Sequence, residues 1–433
     1  MKPMPSPAGR LTRALQHRNF RLFFGGQSIS LVGTWITRVA TSWLVYRLTG
    51  SELLLGVAGF AGQIPTLIIT PFAGVLVDRH DRRRILLITQ VASLLQSALL
   101  AALTFTNVIT VTQIIWLQVI QGVINSFDTP ARQAFVSEMV EDRRDLPNAI
   151  ALNSSMVNGT RIIGPSIGGL LIAGFGEAWC FTVDAISYIA VIASIVAMRV
   201  PPRARHEAAE MHLLDELHHG WKYVLHSIPI RSALLLVAIV SMAGTPYTVL
   251  MPAIAAQVLH GGPNTLGLLM TATGVGALAG ALYLAQRESV LGLGRIIMWA
   301  SIVFGIGLVI FSLTTSLWFA FLMLAIAGCG FMIHLAATNT VLQTIVEERL
   351  RGRVMSFYTM AFFGTVPIGS LLGGILADRF GAMRTVMVTG IVCLAGSAWF
   401  AYKLPAIRAV IRPIYRERGI ITVPAVDTGS KTL

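Results

Sequence analysis

Of 433 residues, 55% are hydrophobic and 12% are charged, and the mean hydropathy is +0.71. That leaves too little polar surface for a soluble protein of this size, and apolar runs this long exclude an outer-membrane barrel, whose strands alternate in polarity over about 10 residues. The formal charge of +13 raises nucleic acid as a partner, but its placement along the chain argues instead for membrane topology.

A helix that crosses the hydrocarbon core needs about 20 mostly apolar residues. Residues 1–20 are basic and lead into an apolar run too long for a cleaved signal peptide, so they read as a cytoplasmic segment before an anchoring helix. Spans are predicted at 21–47, 52–77, 84–106, 110–136, 148–173 and 178–199, then at 231–258, 264–286, 295–313, 316–345, 354–377 and 383–403. The expected fold is an all-α membrane protein with twelve transmembrane helices in two pseudo-symmetric six-helix bundles, 21–199 and 231–404. A cytoplasmic linker, 200–230, would join them, and 405–433 would form a cytoplasmic tail. In the linker Leu214, Leu217, Trp221 and Val224 recur at helical spacing and predict an amphipathic helix on the membrane surface. Its histidines, His206, His212, His218, His219 and His226, match no standard zinc spacing and read as a solvated face.

Of the 33 Lys and Arg, 27 fall on one side of this arrangement. Arg47, Arg379 and Arg384 fall on the other side, and Arg38, Arg132 and Arg161 fall inside spans. Basic loops stay in the cytoplasm. Both termini are therefore expected in the cytoplasm of a cell (inner) membrane protein, with the basic surplus against anionic lipid headgroups rather than nucleic acid. Cys180, Cys329 and Cys393 all lie in spans and form no metal or disulfide pattern.

Polar residues inside the spans form faces. In span one, Gln27, Thr34 and Arg38 share a face. Between spans two and three, "GVLVDRHDRRR" places Gly74, Asp78, Arg79, Arg82 and Arg83 at the membrane border. A topogenic basic loop explains the arginines but not Asp78. In span four Gln118, Gln121, Asn125, Asp128 and Arg132 are spaced three, four, three and four, which is one continuous stripe. Asp128 and Arg132 could neutralise each other, or Asp128 could cap a helical piece that starts at Pro130. Span five contains "RIIGPSIGG", preceded by Ser154 and Asn158. Gly164, Gly168 and Gly169 offer a flat packing face and Pro165 a bend, but neither explains Arg161. Asp184 in span six is an acidic partner for Arg38 or Arg161 by conjecture. Ser241, Thr245 and Thr248 share a face of span seven, and His334 and Thr338 share one of span ten. Charges cost about 2.5–3.5 kcal/mol or more in hydrocarbon, so such groups should face a hydrated cavity or a partner.

The glycines also repeat. A shift of 205 lays Gly159, Gly164, Gly168, Gly169 and Gly176 on Gly364, Gly369, Gly373, Gly374 and Gly381, as expected for two halves built from one unit.

At these residues the chain resembles the major facilitator superfamily. Gly74, Asp78, Arg79, Arg82 and Arg83 match its loop signature G-x-x-x-D-R-x-x-R-R, and "RIIGPSIGG" resembles the fifth-helix signature of exporters, with Thr160 in place of its first Gly. "TWITRVATSWLVYRLTGS", "FDTPARQAFV" and "LRGRVMSFYTMAFFGTVPIGSLLGG" are similar to the branch of enterobactin exporters and macrolide efflux proteins. The resemblance implies that spans one, four, seven and ten line a central cavity and that Asp78 acts in a cytoplasmic gate. Two departures stand out. Gln118 occupies the arginine position of the fourth-helix signature, so a proton-relay role for that arginine does not carry over. The second-half counterpart of the loop, "GALYLAQRE", lacks the Asp.

The expected function is secondary active transport, with proton-coupled export of a small amphipathic molecule such as a siderophore or drug, by a monomer without cofactor or metal. Asp128 and Asp184 are the candidate proton carriers. No phosphate-binding loop or nucleophile cluster suggests an enzyme. The alternative is a lysophospholipid-type lipid transporter of the same fold. The arginines within spans suit a ligand with acidic or electron-rich groups, a hint that pairing with Asp128 and Asp184 would cancel.

Overall fold

The computed structural model describes residues 13–199, 223–287, 289–418 and 420, and every regular element among them is helical. The first six long helices are α1 (Arg18–Thr49), α2 (Glu52–Arg79), α3 (Arg82–Phe105), α4 (Val111–Met139), α5 (Leu146–Phe175) and α6 (Glu177–Ala197). The rest are α7 (Ile228–Gly244), α8 (Pro246–Ala253), α9 (Pro263–Ala285), α10 (Leu293–Phe311), α11 (Leu317–Ile345), α12 (Glu348–Phe363), α13 (Thr365–Phe380) and α14 (Ala382–Glu417).

Short polar signals set the turns between them. The Ser51 hydroxyl accepts from the Leu54 N–H at the start of α2. The Asp81 carboxylate accepts from the Arg83 and Arg84 N–H groups at the start of α3, and Thr110 and Gln113 form a capping box on α4. Gly50 ends α1 at φ +62°, a conformation that suits a residue without Cβ. Helices α7 and α8 are one run broken at Thr245 ahead of Pro246, and a π-turn, Ile254–Val258, extends it. Helices α12 and α13 break likewise at Gly364.

Nine runs among the described residues are long and apolar enough to cross a membrane. Helices α1, α4 and α5 are as long, at 32, 29 and 30 residues, but more polar. These three carry most of the polar stripe residues read from the sequence. Helices α1 to α6 pack on one another, and so do α7 to α14. The two groups meet mainly through α5 on α9 and α2 on α13.

Two sequence expectations change. Helix α4 runs unbroken through Pro130, so Asp128 caps nothing. Helix α14 continues to Glu417, past Pro405 and Pro413, where a tail had been expected from 405. The amphipathic linker helix falls outside the described residues except for its last turn, where Val224 is buried.

Candidate functional site

The chain alternates between an arginine-rich end, with Asp78 to Arg84, and an arginine-poor end, with Gly50, Gly176 and Gly381. The seam between the helix groups is closed at the arginine-poor end. A Cβ on Gly56 of α2 would lie 2.7 Å from the Ser370 carbonyl and 2.8 Å from Gly374 of α13. A Cβ on Gly169 of α5 would lie 2.7 Å from the Pro263 carbonyl and 3.2 Å from Gly267 of α9. Ser166 and Thr271 share a 2.6 Å hydrogen bond, and Thr271 donates to the Ile162 carbonyl at 3.2 Å. On α9, the would-be Cβ of Gly274 lies 3.1 Å from the Arg161 carbonyl, and Leu67 of α2 lies against Gly364, between α12 and α13. Beyond these points Phe72 of α2 is 67% exposed and Phe363 of α12 is 54% exposed. Helix α12 packs chiefly on α7, α11 and α13 rather than on the first helix group, so the gap opens towards the arginine-rich end.

The glycine repeat has matching contacts in both groups. Gly164 abuts Trp35 of α1 and Gly369 abuts Met242 of α7. Gly168 lies against Ile36 and Val39 of α1, while Gly373 lies against Pro246 of α8. Gly169 and Gly374 both face the opposite group. Gly176 and Gly381 end their helices at nearly equal φ, +87° and +84°. Pro165 sits inside α5, which continues through it, and its carbonyl lies 2.6 Å from the would-be Cβ of Gly267.

The three intramembrane arginines have different surroundings. Arg132 Nε lies 3.7 Å from Asp128 Oδ2. Asp128 also accepts from Thr89 Oγ1 at 3.0 Å and Gln90 Nε2 at 2.7 Å, so its carboxylate is engaged on all sides. Asp184 pairs with neither Arg38 nor Arg161, contrary to the conjecture from sequence. It is buried, accepts from Ser97 Oγ at 2.7 Å, and lies under Gly33, where a Cβ would come within 2.8 Å of Oδ1. Arg38 and Arg161 have no ion pair among the described residues. The Arg38 guanidinium sits over the Trp35 ring, with Cζ 4.6 Å from its centroid. Arg38 is exposed and Arg161 half-buried.

The remaining candidates scatter. Gln121 donates to Ser93 Oγ and to Asn125 Oδ1, both at 3.3 Å. Gln118 lies against Gly62 of α2. Thr34 donates to the Ser30 carbonyl at 3.0 Å, and Gln27 is buried. Asn158 donates to the Ser154 carbonyl at 2.9 Å on an exposed stretch of α5, and Thr245 donates to the Ser241 carbonyl at 2.6 Å. His334 and Thr338 have no accessible surface, and His334 lies beside Ile297 of α10. These two are therefore packed among helices, away from the gap.

Sequence reasoning missed two features. On α3 the buried residues Thr89, Gln90, Ser93, Gln96 and Ser97 form a polar ladder that reaches both Asp128 and Asp184. Their spacing of one, three, three and one marks one helix face and was there to be read. In the second group an aromatic row runs from Tyr247 through Phe304 and Phe331 to Phe362, with centroid separations of 6.3, 5.0 and 6.2 Å. It joins four separate stretches of chain, on α8, α10, α11 and α12, and no local pattern announces it.

At the arginine-rich end Asp78 is exposed and pairs with Arg82 at 2.9 Å. Arg82 also reaches Glu138 at 2.8 Å and the Ala134 carbonyl at 3.2 Å. Arg83 donates to the Ile195 and Val196 carbonyls at 3.2 and 2.9 Å, at the C-terminus of α6, where a cation is favoured. Arg79 is exposed, and nothing lies within 4 Å of a Cβ built on Gly74.

Two helix groups around a one-sided gap, related by a repeated glycine frame, define a membrane transporter of the major facilitator class. Solved structures agree on the fold. A bacterial homologue of the human lysosomal transporter Spinster, inward-facing and occupied, aligns with TM-score 0.70 at 14% identity, over 97% of this chain and 100% of that one. The POT family transporter PepTSo aligns with TM-score 0.69 at 10% identity, over 91% and 99%. The family model described as transmembrane secretion effector matches residues 12–417, and the chain belongs to that family. It is 28% identical to the staphyloferrin A transporter of Staphylococcus aureus, over 88% of this chain and 95% of the relative. It is 26% identical to the multidrug efflux pump Tap of Mycolicibacterium fortuitum, over 90% and 95%, and 24% identical to macrolide efflux protein A of Streptococcus pyogenes, over 88% and 96%. The chain is a multi-pass membrane transporter, not an enzyme.

Proposed function

We propose that the chain is a proton-coupled exporter that carries a small amphipathic molecule, a siderophore or a drug, by alternating access. The observation that carries this reading is the seam between the helix groups, closed at one end by apposed glycines, with Arg161 at the inner limit of the α5–α9 glycine contacts. Twelve crossings follow if α1, α4 and α5, which are long enough and carry the intramembrane polar residues, join the nine apolar runs. The crossings divide into six-helix bundles at 21–199 and 231–404, joined by 200–230, and the chain functions as a monomer. The arginine-rich end is cytoplasmic by the positive-inside rule, which puts both termini there and makes this conformation open to the cytoplasm.

The walls of the gap suit an amphipathic cargo. One group of helices supplies cations and amides, and the other supplies the aromatic pair Phe362 and Phe363 of α12, backed by the buried rings of Phe304 and Tyr247. Asp128 and Asp184, linked to the α3 ladder, are the groups proposed to take up and release protons. Asp78 is the cytoplasmic latch: in the conformation open to the outside it would turn from Arg82 to the N-terminus of α12, whose dipole favours a carboxylate. The test is efflux from cells that express the protein, with an uncoupler added. Collapse of efflux supports proton coupling, whereas efflux that persists without a proton gradient rejects it.

A further inference from the structure

We propose that Arg295 of α10 and Arg408 and Arg412 of α14 form a docking surface for the headgroup of an anionic phospholipid, in the leaflet at the arginine-rich end. The acyl chain of that lipid lies along the outer face of α10. The lipid is a bound partner and not the cargo, so the proposal goes beyond the transport reading and does not depend on what is exported.

The length of α14 sets the level of this surface. Its 36 residues reach roughly 54 Å, against a hydrocarbon core of about 30 Å. About 20 residues from Ala382 bring the chain to Tyr402 at the membrane border, and the rest runs on beyond it. Tyr402 is 79% exposed and Lys403 Nζ lies 5.3 Å from its ring centroid. Aromatic and basic side chains belong at headgroup level. The continuation of α14 is anchored to its own helix group: Tyr415 is buried, and Arg418 donates to the Val346 carbonyl, at the end of α11, at 2.9 Å. The arginines between these points therefore sit on a fixed element.

Three close contacts fix the face of α14 that is turned to α10. The would-be Cβ of Gly390 lies 2.9 Å from Val309, that of Gly305 2.8 Å from Leu394, and that of Gly294 3.2 Å from Leu404. Arg408 and Arg412 continue this face one and two turns past Leu404. Helix α10 begins at Leu293 and does not extend that far, and both arginines are exposed. Arg295, next to Gly294 in the first turn of α10, is exposed at the same edge. None of the three has an ion pair among the described residues. Their planar forks suit the oxygens of a phosphate diester, and basic residues at this level attract anionic lipid. The neighbouring surface selects a lipid over a soluble phosphate. Trp299, Val303 and Ile306 follow Arg295 at spacings of four, four and three, so they share its face, and all three are exposed. That strip leads from the charged edge into the hydrocarbon. An anionic phospholipid meets both parts at once, whereas a soluble phosphate leaves the strip unused and a zwitterionic lipid brings a cation of its own.

The test uses the full chain, purified in detergent and stripped of lipid, with native mass spectrometry and Tm read as phosphatidylglycerol, cardiolipin, phosphatidylcholine or inorganic phosphate is added. Phosphatidylglycerol or cardiolipin is expected to bind saturably and raise Tm, with phosphatidylcholine at least about tenfold weaker. Arg295→Gln, Arg408→Gln and Arg412→Gln should each weaken that binding roughly fivefold, and the triple variant on the order of a hundredfold. The corresponding Lys variants should keep most of it. Arg84→Gln is the control, because Arg84 is an exposed arginine at the same end of the first helix group, and it should leave binding unchanged. If the triple variant does not purify as a monodisperse protein, the single variants and the comparison of lipids decide. Equal binding of phosphatidylglycerol and phosphatidylcholine, or unchanged affinity in the well-folded Gln variants, overturns the proposal. A loss in Arg84→Gln as large as in Arg408→Gln would show diffuse surface charge in place of a site and overturn it as well. Displacement of phosphatidylglycerol by an equal concentration of inorganic phosphate would assign the surface to a soluble anion and overturn the lipid. Each of these results leaves the exporter reading intact, and efflux that persists without a proton gradient would reject that reading without touching this surface.

Discussion

Asp128 shows how much one carboxylate can hold together. It receives Thr89 and Gln90 from α3 and Arg132 from its own helix. Asp128→Ala would leave two buried donors and one cation without an acceptor. The expected cost is on the order of 3 kcal/mol, seen as a clear fall in Tm of the purified protein, and an unchanged Tm would contradict this packing role. Gly33 and Asp184 make a similarly tight pair. A methyl group on Gly33 would press on the Ser187 hydroxyl at 2.5 Å and on Asp184 Oδ1 at 2.8 Å, so Gly33→Ala should also destabilise. Arg38 behaves differently, because it holds no buried acceptor in place. Arg38→Gln is expected to leave Tm nearly unchanged and to reduce transport, and a large fall in Tm with full residual transport would reverse that assignment.

Helices α5 and α13 carry the moving seam, and their glycines divide by what lies opposite. Gly169 and Gly374 touch the other helix group at the closed end, where a larger side chain cannot fit. Gly169→Leu should hold that end apart and abolish transport while the protein still inserts. Gly74 is the informative contrast, since nothing stands within 4 Å of its would-be Cβ in this conformation. If the arginine-rich end closes during the cycle, Gly74→Leu should keep its Tm and lose transport, and normal efflux by this variant would show that α2 makes no close approach there. The sequence made this frame readable, because the shift of 205 is visible without coordinates. Span positions were also legible from apolar length, and the predicted 52–77 lies within Glu52–Arg79. The break at Thr245 and the continuation of α14 past Pro405 were not, since a proline permits either a break or a kinked continuation and only the neighbouring helices decide. At the site, the Asp128–Arg132 pair was legible because it lies within one helix, four residues apart. The stacking of Arg38 on Trp35 and the seating of Trp35 against Gly164 were not, because the second of these joins two helices. His334 went the other way. It shares a face with Thr338 as the sequence indicated, but that face turns towards α10.

At the scale of the whole molecule, the account is a rocking of two helix groups about a site at mid-depth. The closed end is held by close contacts of glycines and the Ser166–Thr271 hydrogen bond, and among the described residues opening it breaks no ion pair across the seam. At the open end, Arg82 and Arg83 are tied within the first group to Glu138 and to the end of α6, which leaves Asp78 free to exchange partners. Asp78→Asn is expected to weaken transport several-fold in protein that folds and reaches the membrane normally, and full efflux by that variant would remove the latch from the mechanism. The most direct measurement is the distance between spin labels on two pairs of exposed positions, Phe72 with Met360 at the arginine-rich end and Leu48 with Phe380 at the arginine-poor end, in membranes with and without a proton gradient. The account predicts that the first distance shortens as the second lengthens. Distances that change together, or that do not change while the protein transports, would contradict it.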